Sequence, residues 1–146
     1  MNHPEKRIVD FIHEHHVLTL ATCNENNAWC SNCFYVYMEE ENCFVFTSDD
    51  NTKHVQDVLI NSKVAGSVVL ETKTVGKIRG IQFTGIMERP VKEMKLKVKM
   101  AYLKRFPYAA LMKTSLWILK VNYIKMTDNR LGFGKKLIWE SDQIDR

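Results

Sequence analysis

The run Asp49-Asp50-Asn51-Thr52-Lys53 is the stretch of this chain whose residue types and spacing best suit chemistry. Asp, Asn and Thr are helix-capping types, and Val55, Val58 and Leu59 recur behind them at helical spacing, so a helix is expected to start near Thr52. Its first turn would offer unpaired N–H groups and the positive end of the helix dipole, with the Thr52 hydroxyl and the Lys53 ammonium alongside. Such a corner suits a phosphate. The alternative is an ordinary cap beside a solvated lysine, because Asp49 and Asp50 repel an anion.

Geometry bears on three further groupings. In Cys30-Ser31-Asn32-Cys33 the thiols are three positions apart in an expected strand and point to opposite faces, so they neither chelate one metal nor form a comfortable disulfide. His13 and His16 could share a helix face, but no carboxylate or cysteine is placed to complete a metal set, and histidines in a last turn complement the helix dipole. No metal is expected. Gly132-Phe133-Gly134-Lys135-Lys136, with Arg130 nearby, could close over an anion, although it lacks the spacing of a nucleotide P-loop. No serine nucleophile elbow, HExxH or carboxylate pair is evident, so any redox or transfer chemistry would be borrowed from a cofactor that the protein binds and orients.

The elements that must position these residues follow from alternation and turn chemistry. An amphipathic helix from Pro4 to near His16 buries Ile8, Val9, Phe11 and Ile12. Val17–Cys23 and Ala28–Met38 form a hairpin around Asn24–Asn27, and Cys43–Ser48 follows as a strand buried on both faces, directly before the Thr52 helix. Strands are expected again over Val64–Thr72 and Ile78–Glu88. In the second, Gly80 and Gln82 share a face on which a flat ligand could lie, or Gly80 and Gly85 mark a bulge or barrel corner. Behind Pro90, a basic helix carries the stripe Met94, Val98, Ala101 and Tyr102. A long strand over Ser115–Met126 alternates Leu116, Ile118, Lys120 and Asn122 with Trp117, Leu119, Val121 and Tyr123.

Composition bounds the reading. A chain of 146 residues, 45% hydrophobic, is of single-domain size, and its net charge of +4 is a mild bias toward anionic partners, too small to make a nucleic-acid binder. No apolar run is long enough to span a membrane and the N-terminus lacks a secretory signal, so a soluble cytoplasmic protein with free thiols is expected.

Taken together, the segments HVLTLAT, NCFYVY, CFVFTSDDNTKH, IRGIQFTG, RFP and TDNRLGFGKKLIW give the chain its likeness to a known group. In that order they resemble the YhbP-like branch of the pyridoxamine 5′-phosphate oxidase-like FMN-binding split barrels, over nearly the whole chain. The resemblance implies a mainly β fold, a six-stranded Greek-key split barrel with peripheral helices, as one domain over residues 1–146. It also implies a homodimer with FMN at the subunit interface and flavin-dependent oxidoreductase activity, with NAD(P)H as donor. Thr47, Asn51, Thr52 and Lys53 match the family's phosphate-binding turn, with Phe46 beside it. Ser31 and Asn32 fall where the wider family contacts the flavin, often through an arginine absent here, and Gln82 lies near a flavin-contacting glutamine. Lys135 and Lys136, in the branch-specific tail, would reach the partner's flavin. The basic and histidine set that holds pyridoxamine phosphate has no counterpart, so vitamin B6 oxidation is not expected. Alternatives are a non-catalytic flavin carrier, a basic anion-binding module, or the same barrel with F420 or haem.

Overall fold

In the computed structural model, residues 1–143 are described, so the end of the expected domain, residues 144–146, lies outside the described residues. Helix α1 (Lys6–Glu14) leads into strands β1 (Val17–Asn24), β2 (Asn27–Met38) and β3 (Cys43–Ser48), then helix α2 (Lys53–Ile60). Strands β4 (Lys63–Val69) and β5 (Arg79–Glu88) follow, then helix α3 (Lys95–Arg105) and strands β6 (Ser115–Asp128) and β7 (Lys136–Glu140). The first hairpin is set by Glu25 and Asn26, whose φ angles of 49° and 62° make a two-residue turn with both central residues left-handed. Such a turn matches the right-handed twist of its strands.

The strands pair in the order β3-β2-β1-β4-β5-β6-β7, and β3 also pairs with β6. That extra pairing closes β1 to β6 into a six-stranded barrel, with β4 returning beside β1 as in a Greek key. The sheet therefore has one strand more than the six expected. β7 was hidden in what the sequence reads as a glycine loop, and it adds to the edge of β6 at Tyr123–Thr127, beyond the segment Ser115–Lys120 that β3 occupies. The fold is a mainly β split barrel.

Alternation decides what lies inside. Leu18, Leu20, Tyr35, Phe44, Phe46, Ile81, Phe83, Trp117 and Leu119 fill the barrel, each nearly or wholly buried. Burying each of these side chains contributes about 1.5–3 kcal/mol. In β6 the expected alternation holds only as far as Val121. There Gly85 pairs with Val121 but Thr84 with Tyr123, so Asn122 is the extra residue of a bulge. Beyond it the inward set shifts to Ile124 and Met126, and Tyr123 turns outward. Of the two readings of the β5 glycines, a bulge is what Gly85 serves.

At the end of β6, the fully buried Asp128 accepts hydrogen bonds from Arg130 Nη2 at 2.9 Å and Arg7 Nη1 at 3.1 Å. The Arg130 contacts, aided by Arg7, hold its carboxyl at about 2, well below the usual range. This one carboxylate ties α1 to the loop before β7.

Candidate functional site

The turn after β3 is built as the capping residues imply. Thr52 is the N-cap of α2, extended at φ −72° and ψ 151°, yet no side chain caps the helix. Its hydroxyl donates instead to Asp49 O at 2.8 Å, and its N–H bonds the same carbonyl at 3.1 Å. Gln56 Nε2 donates to Asp50 O at 2.7 Å, and Arg89 holds the Asp50 carboxylate at 3.3 Å. The turn is thus wired by its own backbone, while the first N–H groups of α2 are left without a side-chain acceptor. An anion fits that end of the helix.

Lys53 stands there with company that the sequence did not announce. Its ammonium donates to both oxygens of Asp57, at 3.0 and 3.1 Å, and lies 5.7 Å from the ring centre of Trp29. Asp57, buried, also accepts from Thr22 Oγ1 at 2.9 Å, and the Lys53 hydrogen bond is the main cause that lowers its pKa. The apolar stripe expected for α2 is therefore corrected: Val55 and Val58 are buried with His54 and Asp57, whereas Leu59 is 57% exposed. A helix can bury a carboxylate on its inner face when a lysine one turn earlier and a hydroxyl beneath it satisfy the charge.

His54, on the same inner face, has Nε2 2.7 Å from Ser48 Oγ and 3.4 Å from Thr52 Oγ1, which links the end of β3 to the cap of α2. Burial lowers its pKa below the ordinary 6.5, partly offset by Asp57. The unfolded chain therefore takes up a proton at a pH where the folded one still resists it, and stability falls as the pH drops below about 6.5. We expect the melting temperature of the native chain to decline from pH 7.5 to 5.5, and that of His54→Gln to lack this component. Equal slopes in both would show that His54 does not govern the turn.

Strand parity separates the remaining candidates. Asn32 and Ser31 point to opposite faces. Asn32 is outward and accepts from Thr19 Oγ1 at 3.0 Å, whereas Ser31 Oγ is buried on the inner face without a hydrogen-bond partner. Phe46 is 0% exposed within the barrel, so its side chain belongs to the core and only its backbone could face a ligand. Thr47 faces the other way, its hydroxyl 3.4 Å from the Tyr102 hydroxyl of α3, so that helix covers it. Asn51 is exposed at the tip of the turn.

On the outward face the register assembles a row that sequence reading missed in part. Asn32 pairs with Thr19, Thr19 with Ser67, Ser67 with Gln82 and Gln82 with Lys125. Asn32 and Gln82 thus lie on one face, three strands or roughly 14 Å apart. Thr19, Ser67, Gln82 and Lys125 border a shallow trough of about 400 Å³, floored by the small Ala21 and Ala65. Thr19, Ser67 and Lys125 were legible only through parity and register.

Lys136 is also outward, with Nζ donating to Thr127 Oγ1 at 3.0 Å, and Lys135 is exposed. Neither is near the phosphate-suited turn of its own chain. Ser48 pairs with Ser115 and Lys136 with Thr127, at opposite ends of β6 and roughly 40 Å apart along the strand.

Comparison with known proteins decides the family. No family model matches the sequence. A UPF0306 protein of Photorhabdus laumondii is 40% identical over 130 residues, covering 89% of this chain and 91% of the relative. The UPF0306 protein YhbP of Salmonella arizonae is 40% identical over 127 residues, covering 87% and 86%. The chain belongs to the UPF0306 family. Among solved structures, this UPF0306 chain resembles a haem-binding protein from Mycobacterium smegmatis with a TM-score of 0.73 at 20% identity, over 86% of its own length. It spans about half of that longer protein, 52%. It also resembles a FAD-binding protein from Mesorhizobium loti (TM-score 0.69, 12% identity, 82% and 91% covered). A third likeness is to HutZ, the haem storage protein of Vibrio cholerae (0.67, 17%, 83% and 92%). At these identities the likeness speaks for the split-barrel fold alone.

Proposed function

We propose that this UPF0306 chain is an FMN-binding member of the pyridoxamine 5′-phosphate oxidase-like split barrels, acting in the cytoplasm as a homodimer with flavin between the two copies. The observation that carries the reading is the uncapped start of α2 beside Thr52 and Lys53, at the mouth of a barrel whose outward face bears a polar row. A phosphate monoester is the anion such a corner takes best, since the free backbone N–H groups of the helix start and the Lys53 ammonium converge there. Asn51 at the turn and Asn32 on the neighbouring strand are the next donors. Thr19, Ser67 and Gln82 would bond the polar rim of a flat ring, and Lys135 and Lys136 would serve the site of the partner copy.

FMN, when bound, supplies hydride and electron transfer, with NAD(P)H as the donor. The chain's own residues bind, orient and shield. Lys53 shares its charge between Asp57 and the incoming phosphate, so the buried carboxylate keeps the ammonium in place before the ligand arrives. Flavin is favoured over the haem of two structural relatives because the polar row has no histidine to serve as an axial ligand. A flavin carrier would use the same contacts without turnover.

Titrating the flavin-free chain with FMN, then adding NADPH without oxygen, tests the reading. We expect saturable binding at one FMN per chain and bleaching of the flavin absorbance by NADPH. Binding without bleaching would leave a carrier, and no binding would remove the proposal.

A further inference from the structure

We propose that His54 supplies the second positive charge of the α2 corner: it is neutral in the free chain and takes up one proton from solvent when a phosphate monoester dianion binds at the helix start. The inference deepens the flavin reading and rests on it, because FMN carries such a group. Its first support is placement. Thr52 N bonds Asp49 O and Gln56 N bonds Thr52 O, so the N–H groups of Lys53, His54 and Val55 are the three that the first turn leaves open. His54 thus offers its backbone to the anion. Its ring stands beside the same turn, with Nε2 3.4 Å from Thr52 Oγ1 and 2.7 Å from Ser48 Oγ.

In the free chain this is a poor place for an imidazolium. The positive end of the helix dipole opposes the charge, and burial lowers the pKa of the ring below the ordinary 6.5. Asp57 is the carboxylate that favours the charged form, but it offsets burial only in part, since Lys53 already holds both its oxygens and Thr22 donates to one of them. The other groups against the ring are neutral: the Thr52 and Ser48 hydroxyls and, behind Ser48, the Cys33 thiol, which burial pushes up to about 11.

A bound phosphate reverses the balance. Two negative charges about 6 Å from the imidazole, at an effective dielectric of about 20, favour its charged form on the order of a thousandfold even when Lys53 screens part of the field. That makes the imidazolium the main form at neutral pH. The surrounding hydrogen bonds survive the change. Ser48 donates to Nε2 of the neutral ring; once Nε2 carries a proton, Ser48 Oγ accepts it and turns its own proton to the Cys33 sulfur, which lies within its hydrogen-bond reach. Lys53 and the imidazolium then match the two charges of a monoester, where a diester offers one.

The test titrates the flavin-free, full-length chain with FMN at pH 7 and pH 8, where a free phosphate monoester is mostly dianionic. Uptake of one proton with the ligand should weaken binding to the native chain about five- to tenfold between these two values. His54→Gln should bind FMN with the same affinity at both. A second readout needs no variant: in the native chain at pH 7, the Cε1–H NMR resonance of His54 should report a neutral ring without FMN and a charged ring with it. Equal pH dependence in native chain and variant, or a ring that stays neutral in the complex, would overturn the proposal and leave FMN binding in place. Absence of FMN binding at both pH values would remove it together with the flavin reading.

Discussion

The Lys53→Ala chain is expected to bind FMN about 10- to 150-fold more weakly than the native chain. The loss corresponds to about 1.5–3 kcal/mol, the worth of a hydrogen bond to a charged group. It reflects the ammonium that stands at the uncapped end of α2. The same substitution leaves the buried Asp57 with Thr22 as its remaining partner, so some loss could arise from a disturbed helix. The double variant Lys53→Ala/Asp57→Asn removes that complication, since a neutral amide can keep the Thr22 contact without a buried charge. Isothermal titration of FMN should show the same weakening in both variants. Affinity equal to that of the native chain in the double variant would mean that phosphate is not anchored at this turn.

Gly85→Ala is expected to destabilise the fold by about 3 kcal/mol, lowering the melting temperature by roughly 6–12 °C. A methyl group at Gly85 would sit 2.2 Å from Lys120 O and 2.7 Å from Leu119 Cδ2. Neither neighbour can yield cheaply, because Lys120 belongs to the strand paired with β5 and also to the closure with β3. Relief would require the bulge at Asn122 to move, and with it the outward placement of Tyr123. Gly76→Ala is the matched control, with nothing within 4 Å of its added methyl group. Circular dichroism melts of the two variants should differ by most of the stated shift, and equal melts would show that the β5–β6 approach is soft.

What could be read from residue order was whatever local rules determine. The strand Cys43–Ser48 and the cap at Thr52 fall where alternation and capping types put them, because both signals lie within a few residues. The hairpin around Glu25 and Asn26 was equally legible, since asparagine and its neighbours tolerate left-handed backbone. β7 was not. A five-residue strand behind two glycines has no pattern of its own, and it exists because β3 leaves one edge of β6 unpaired. Ser31 and Asn32 looked alike as flavin contacts until the register sent one inward and the other outward. The burial of Asp57 was not legible, since nothing in the order of residues says that Thr22, far off in the chain, lies beneath it. The shift in β6 had the same origin: a single extra residue at Asn122 reverses every later side chain.

Barrel closure joins Cys43–Ser48 to Ser115–Lys120, two segments far apart in order of synthesis. At a translation speed of about 5–20 residues per second, several seconds separate the emergence of the first from that of the second. Through that interval a nascent chain on the ribosome carries two bare strand edges, at β3 and β5, both rich in apolar side chains. Unpaired edges of this kind template association between neighbouring polypeptides. Production of this protein in quantity is thus governed by how quickly its last third is delivered, and slow codons or truncation before Ser115 favour inclusion bodies and chaperone capture over the native barrel.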